Sequence, residues 1–169
     1  MSGDGREYAV VSSPPPRSSN PWKGIFIGGV IAGVLDIIFA FLFYGAKGSP
    51  PVRILQSISS GLLGKDAFDG GAATAALGAF FQLLIPTVAA AVYSVFDRTL
   101  AVVRNHPVVC GILYGAVIYG VMNYVVLPLS AIPWKPRSTA EFVIPALLAH
   151  MFLIGLPMAL AVRRFSRAS

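Results

Sequence analysis

The stretch that decides the fold is GIFIGGVIAGVLDIIFAFLFY, from Gly24 to Tyr44, in which Asp36 is the one ionisable carboxyl group in an otherwise apolar run. A helix of about 20 apolar residues is long enough to cross the hydrocarbon core of a bilayer. The run exceeds the apolar region of a secretory signal peptide, and no clear cleavage site follows it. It therefore predicts a membrane-spanning helix that is retained in the protein.

Three further apolar blocks of similar length follow, at residues 72–96, 108–127 and 142–162. Composition supports the same interpretation, because 56% of the 169 residues are hydrophobic and only 12% are charged, against about 25% charged residues in soluble domains. Four such blocks leave no polar surface that could cover them in water. The sequence predicts an all-α membrane protein, a bundle of four transmembrane helices in one domain at residues 24–164, with the lipid bilayer as its surroundings.

The segments that flank the spans predict the orientation of the chain. Residues 1–23 are polar and proline-rich, which predicts a disordered tail, and residues 165–169 form a second short tail. Eight lysines and arginines lie on the side of the two termini and five on the other side, so the positive-inside rule predicts that both termini are cytoplasmic. The eight are Arg6, Arg17, Lys23, Arg98, Arg104, Arg163, Arg164 and Arg167, and the five are Lys47, Arg53, Lys65, Lys135 and Arg137.

Aromatic residues near the predicted span ends agree with these boundaries. Trp22, Tyr44, Tyr93 and Trp134 fall close to the ends of the apolar blocks, where amphipathic rings prefer to lie at the membrane interface.

The loop between the first two spans contains PVRILQSISSGLLG, from Pro51 to Gly64, which carries no charge after Arg53. Its apolar residues recur at helical spacing, but the segment is too short to cross a bilayer. It predicts a short helix that is either interfacial, lying on the headgroups, or re-entrant, covering the mouth of the bundle.

Local signals predict where two of the spans begin. Ser138, Thr139 and Glu141 match a capping box, which would start the fourth helix at Thr139. Pro107, preceded by His106, is typical of the first turn of a helix, where the missing N–H would have no partner in any case.

Each span carries one polar side chain in its interior, and these are Asp36, Gln82, Asn123 and His150. They share helix faces with small residues that permit close packing in lipid, among them Gly29, Gly33, Gly78, Gly111 and Gly115. Such faces are expected to point inward, which predicts an intramembrane polar cluster. Pro86 and Pro157 are predicted to kink their helices and to free the carbonyl groups four residues earlier. The glycine pairs could pack helices within one chain or between chains.

Two functions are consistent with this cluster. In the first, the polar groups hold the four helices together, and the protein is a structural or assembly protein whose partner is another membrane protein or a second copy of itself. In the second, Asp36 and His150 form a hydrogen-bonded pair that binds a proton or a small cation during transport, with Gln82 and Asn123 completing the polar lining. An ionisable residue inside a span raises the second hypothesis by default.

Little in the sequence suggests an enzyme. The chain has no HExxH, GxSxG or GxxxxGK motif, so no catalytic residue and no cofactor is predicted. His106 and Cys110 share a helix face, but structural zinc takes four ligands, and a cap and a packing role are expected for them instead. The net charge of +6 is not arranged as a basic stripe with aromatic residues, so no nucleic-acid partner is predicted.

Three strings carry a resemblance to a known group of proteins: PVRILQSISSGLLG, MNYVVLPLSAIP and HMFLIGLPMA. In these strings the chain resembles a family of small, uncharacterised bacterial inner-membrane proteins and, more distantly, the YagU type, over Gly24 to Arg164. The resemblance implies a compact four-helix body in the bacterial inner (plasma) membrane, and it implies no activity or catalytic residue.

Overall fold

The computed structural model describes residues 20–134 and 139–166, and all regular elements in these residues are helical. In chain order the helices are α1 (Pro21–Gly45), α2 (Pro51–Leu63), α3 (Gly71–Thr99), α4 (Ala101–Asn105), α5 (Pro107–Leu129) and α6 (Ala140–Ser166). Of these, α1, α3, α5 and α6 are long and apolar enough to cross a membrane. The predicted all-α bundle of four spans is confirmed. Each of the four long helices is a few residues longer than its predicted span. The predicted tails at 1–23 and 165–169 are therefore too long, because residues 21–23 begin α1 and residues 165–166 belong to α6; residues 1–19 and 167–169 lie outside the described residues.

Successive spans run antiparallel. At one end of the bundle the first turn of α1, at Gly24, lies against Val162 near the end of α6. At the other end Lys47, just after α1, pairs with Glu141 in the first turn of α6. We call the first of these the terminal end and the second the loop end. α6 packs between α1 and α5, and α3 packs on α1 and also contacts the last part of α6.

The hydrophobic core lies in the half of the bundle nearer the terminal end. Its buried members come from α1, α3, α4 and α6, and α5 packs its Cys110 and Tyr114 against them. The buried members are Ala32, Ala90, Tyr93, Val103, Ile154, Met158, Ala159 and Val162. Three of the eight are alanines, Ala32, Ala90 and Ala159, which permit the close approach expected where apolar attraction between helices in lipid is weak.

The predicted packing glycines lie at helix contacts within the chain. A Cβ atom on Gly29 would overlap Thr87 of α3, and one on Gly33 would lie 2.7 Å from the carbonyl oxygen of Gln82. Gly111 and Gly115 of α5 face the backbone of α6 around Gly155. The intrachain alternative therefore applies to these glycines, since each is already covered by a neighbouring helix.

Gly78 has a different partner from the other four glycines. It contacts α2, and a Cβ atom there would overlap the carbonyl oxygen of Leu55. Gly78 lies seven residues into α3, so this contact is about 10 Å from the beginning of α3 along its axis. The short helix between the first two spans thus packs down the side of α3.

α2 is amphipathic, but its polar face, rather than its apolar face, packs against the rest of the protein. Its buried face is mostly polar, whereas its large apolar side chains point outward: the buried residues are Ile54, Gln56, Ser59 and Ser60, and the exposed apolar residues are Val52, Leu62 and Leu63. The buried polar groups are bonded, because the Gln56 amide donates to the carbonyl oxygen of Gly71 at 3.1 Å and the two serines donate to carbonyl groups of α2. The interfacial and the re-entrant alternative both place such an outward apolar face in lipid, so the exposed residues of α2 agree with either.

An ion pair closes the loop end between α1 and α6. Lys47 pairs with Glu141 and lies over the rings of Phe43 and Phe142, at 5.1 and 4.7 Å from their centroids. α6 begins at Ala140 with Thr139 as the N-cap, and the Thr139 side chain makes no capping bond. The start predicted at Thr139 is therefore one residue early. The Ser138 part of the predicted capping box lies outside the described residues.

Candidate functional site

The predicted polar residues of α1 and α3 meet in the structure. The side-chain amide of Gln82 donates to Asp36 Oδ2 at 2.8 Å and to the carbonyl oxygen of Gly33 at 3.1 Å. Gln82 is buried and Asp36 is half-buried. Asp36 lies nine residues before the end of α1, about 13 Å from the loop end. A single amide therefore joins the carboxylate and the backbone of α1 to α3 inside the apolar layer.

The same contact between α1 and α3 explains the roles of Gly33 and Pro86. Pro86 has no N–H, so the carbonyl group of Gln82, four residues earlier, lacks its helical donor. This carbonyl points at Gly33, where the absence of a side chain lets it approach the backbone of α1. α3 continues as a regular helix through Pro86, so the effect of this proline is on the carbonyl group rather than on the continuity of the helix.

The predicted polar residues of α5 and α6 form a second group, centred on Tyr119. The Asn123 amide donates to the Tyr119 carbonyl oxygen at 2.9 Å, and the His150 ring contacts the Tyr119 ring edge to face at 5.3 Å between centroids. His150 Nδ1 lies 2.8 Å from the Ala146 carbonyl oxygen. Because a carbonyl only accepts, Nδ1 carries the hydrogen, and Nε2 is the nitrogen that can take up a proton.

Both residues of this second group lie in widened helical turns. Asn123 is in a π-helical segment at Met122–Val126, and His150 begins another at His150–Gly155. Each segment ends two residues before a proline, Pro128 or Pro157, whose missing N–H disturbs the regular ladder. The disturbance predicted at Pro157 is therefore present as a π-helical turn, and such turns are frequent at functional sites.

The four predicted residues thus form two groups rather than one hydrogen-bonded network. In the described part of the chain no hydrogen bond or ion pair joins Asp36 to His150. Their similar depth in the bundle does not make them partners, because each side chain has a nearer acceptor or donor on its own side. The Asp36–His150 pair expected from depth is absent here, and the Asp36–Gln82 pair takes its place.

Two shallow, mainly apolar depressions lie on the described surface, one along the end of α1 and the other between α1 and α6. One is lined by Phe39, Leu42, Phe43, Ala46 and Lys47, and the other by Phe39, Pro145, Leu148, Ala149, Phe152 and Leu153. Both are open to the surroundings. Neither is lined by Asp36, Gln82, Asn123 or His150. These two depressions therefore do not form a polar passage through the described part of the bundle.

The structure reveals a further polar group that sequence reasoning missed. Near the terminal end, Tyr93 and Asp97 of α3 are each only 1% exposed. Tyr93 Oη, Asp97 Oδ1, Arg163 Nε and Ser166 Oγ are buried and have no hydrogen-bond partner among the described residues. We call these four side chains the buried polar pocket. One signal was available in the sequence, because Tyr93 and Asp97 are four residues apart and so share a helix face.

The burial of Tyr93 also corrects its expected position. The end of the second apolar block suggested a ring at the membrane interface. α3 continues to Thr99, however, which places Tyr93 about 9 Å from the helix end. Its ring packs against that of Tyr114 at 5.1 Å between centroids, inside the hydrophobic core.

His106 occupies the N-cap position of α5, but its side chain makes no capping hydrogen bond, so the expected cap role is not present. His106 lies between α4 and α5, and the Cys110 sulfur lies 3.8 Å from the carbonyl oxygen of Val102. Among the described residues, no group of three or more histidine, cysteine or acidic side chains is placed to hold a metal ion.

No protein-family model, curated protein or solved structure matches the chain. The resemblance to the YagU type therefore stays a prediction, and the function has to be argued from the geometry alone.

Proposed function

We propose that the protein is a structural or assembly protein of the bacterial inner membrane, which binds another membrane protein or a second copy of itself through its lipid-facing surface. The observation that carries this proposal is the double hydrogen bond of the Gln82 amide. It binds Asp36 and Gly33 of α1 together, so the acid inside the first span serves helix packing. A side chain committed to an interhelical contact is less suited to carry a proton or cation.

Charge supports a cytoplasmic location for both termini. Five of the described lysines and arginines flank the spans at the terminal end, and three do so at the loop end. Those at the terminal end are Lys23, Arg98, Arg104, Arg163 and Arg164. The acidic residues Asp66, Asp69 and Glu141 lie at the loop end and further reduce its positive charge. By the positive-inside rule the terminal end faces the cytoplasm.

The surface offered to a partner is a ridge on α5. α5 packs mainly on α6 and reaches α3 through the Tyr114 hydroxyl, which donates to the Ala89 carbonyl oxygen at 2.8 Å. Its opposite side carries a row of apolar residues four apart, each about half exposed, which we call the α5 ridge: Val109, Leu113, Val117 and Val121. Rows at this spacing are the ridges that fit into grooves of a neighbouring helix.

Photocrosslinking tests the partner-binding role of the α5 ridge. We expect a photoreactive amino acid at Val117, in the middle of the ridge, to give a discrete crosslinked product in native membranes. The same probe at Ile38, which is 48% exposed on α1, is the matched control and should react with lipid only. The mass of the product distinguishes a second copy of this chain from another protein. A Val117 probe that gives no protein product would contradict the proposal.

Substitution of Asp36 tests the packing role directly. In Asp36→Asn the side-chain oxygen can still accept from Gln82, so we expect little change in thermal stability in detergent. In Asp36→Leu the acceptor is lost and one hydrogen of a buried amide has no partner, which should cost about 1–3 kcal/mol. Equal destabilisation of the two variants, or of neither, would show that the hydrogen bond does not hold α1 to α3.

A second candidate function is proton-coupled or small-cation transport around Asp36 and His150. The π-helical turns at Asn123 and His150 favour it, because turns of this kind are enriched at functional sites. In proteoliposomes this function requires a pH-dependent flux that is lost in Asp36→Asn although the variant keeps its fold. The packing role predicts no such flux from the wild-type protein, so one measurement separates the two candidates.

A further inference from the structure

We infer that the buried polar pocket is a water-binding site, in which ordered water connects Asp97 of α3 to Arg163 of α6. The inference does not depend on the function proposed above. It starts from the four polar atoms near the terminal end that have no hydrogen-bond partner among the described residues, namely Tyr93 Oη, Asp97 Oδ1, Arg163 Nε and Ser166 Oγ.

The degree of burial makes these atoms unusual. Tyr93 and Asp97 are each 1% exposed, so neither side chain reaches bulk solvent or lipid. Buried polar atoms in native proteins nearly always have a hydrogen-bond partner, from the protein or from water. Two of the four atoms belong to charged side chains, Asp97 and Arg163, for which burial without a partner is most costly. Because the four atoms belong to the neighbouring helices α3 and α6, they indicate one common hydrogen-bond partner.

The two helices that carry these atoms pack together, so the atoms belong to one region. α3 contacts the last segment of α6, Leu156–Ser166. Tyr93 and Val162, the residue before Arg163, are members of the same buried cluster. Tyr93 and Asp97 lie one turn apart on α3, and Arg163 and Ser166 lie one turn apart on α6, so each helix presents its two groups on one face.

The chemistry of the four atoms selects the kind of ligand. Asp97 Oδ1 only accepts hydrogen bonds, Arg163 Nε only donates, and the two hydroxyl groups do both. A cation would be opposed by the guanidinium group and an anion by the carboxylate, whereas a neutral molecule that both donates and accepts satisfies all four atoms. Water is the smallest such molecule, and buried waters typically make about three hydrogen bonds to buried polar groups of this kind.

The position of the site gives water a route of entry. Asp97 lies two residues before the end of α3, and Ser166 is the last residue of α6. At 1.5 Å per residue, Asp97 is about 3 Å and Tyr93 about 9 Å from the end of α3. The site therefore begins at the membrane boundary of the terminal end and reaches into the first turns of the bundle.

Radiolytic labelling tests the site, because hydroxyl radicals formed from bound water modify the side chains next to it. Tyr114 is the matched internal control: it is packed against Tyr93, it is more exposed than Tyr93, and its hydroxyl is bonded to Ala89. If exposure alone decided the reaction, Tyr114 would be labelled faster. We expect the reverse order, with Tyr93 labelled several-fold faster in the wild-type protein in nanodiscs. Labelling of Tyr114 without Tyr93 would overturn the inference.

Substitution of Asp97 tests whether this residue binds the water. In Asp97→Leu, which removes the acceptor, we expect the labelling of Tyr93 to fall to the level of Tyr114, while Asp69→Leu in the exposed loop before α3 leaves it unchanged. Folding of each variant is checked by size-exclusion chromatography and circular dichroism. Unchanged Tyr93 labelling in folded Asp97→Leu would overturn the role of Asp97. If this variant does not fold, the order of Tyr93 and Tyr114 in the wild-type protein still decides whether the site holds water.

Discussion

Replacement of Gly155 by alanine is expected to lower the free energy of unfolding of the protein by about 2–3 kcal/mol. Gly155 lies where α6 crosses α5, and a Cβ atom there would overlap the Gly111 carbonyl oxygen and lie 2.6 and 2.7 Å from the backbone nitrogen and Cα of Gly115. These are backbone atoms, which cannot rotate away as a side chain can. The two helices would have to separate, and the contacts on both sides of the crossing would be lost with them.

The matched control for Gly155 is Gly120, which lies in α5 with no atom near its Cβ position. Gly120→Ala should leave stability unchanged or raise it, since alanine favours a helix by up to about 1 kcal/mol over glycine. Both variants can be compared by unfolding in mixed micelles of dodecyl sulfate and a mild detergent, followed by circular dichroism. If the two variants unfold at the same detergent fraction, the close α5–α6 crossing does not contribute to stability.

The second large effect is expected at Gly78. In Gly78→Val the side chain would overlap the Leu55 carbonyl oxygen of α2, so α2 must move away from α3 at a cost of about 1–3 kcal/mol. The bonds that the Gln56 amide makes to Gly71 and Thr74 would be lost in the same movement. We therefore expect hydrogen–deuterium exchange in α2 to become much faster, while exchange in α5 and α6 is unchanged.

Gly61→Ala in α2 is the control for this experiment. The nearest atom to a Cβ there is the Ser130 Cβ at 3.9 Å, an ordinary van der Waals contact. Exchange in α2 should keep its slow rate in this variant. Slow exchange of α2 in Gly78→Val as well would mean that α2 is held to the bundle by contacts other than this crossing.

The number and limits of the spans could be predicted from the sequence because lipid imposes a simple rule on length and polarity. Asp36 and Gln82 were also placed on inward faces correctly, since small residues such as Gly33 share those faces. The pairing within the interior could not be predicted in the same way. Asp36 and His150 have similar depth, but contact also depends on the rotation of each helix about its axis, which the spacing of residues within one helix does not determine.

The burial of residues near the helix ends could not be predicted from the sequence. Tyr93 and Arg163 both have ordinary roles at a membrane boundary, as an interfacial ring and as a positive flank. The burial of Tyr93 and of the Arg163 Nε atom follows from the extra residues of α3 and α6 at the terminal end and from the packing of these two helices. Gly78 is predicted to be a packing residue, but its partner is α2, because the spacing of residues does not determine how far α2 extends along α3.

The buried polar face of α2 has a consequence for how the protein is made. α2 leaves the ribosome before α3, so at that moment Gln56 and the two buried serines lack the surface on which they finally rest. A helix with an unpaired polar face stays at the lipid headgroups until the helix that binds this face is present. We therefore expect α2 to pack against the bundle only after α3 has inserted into the membrane, as a late step of biogenesis.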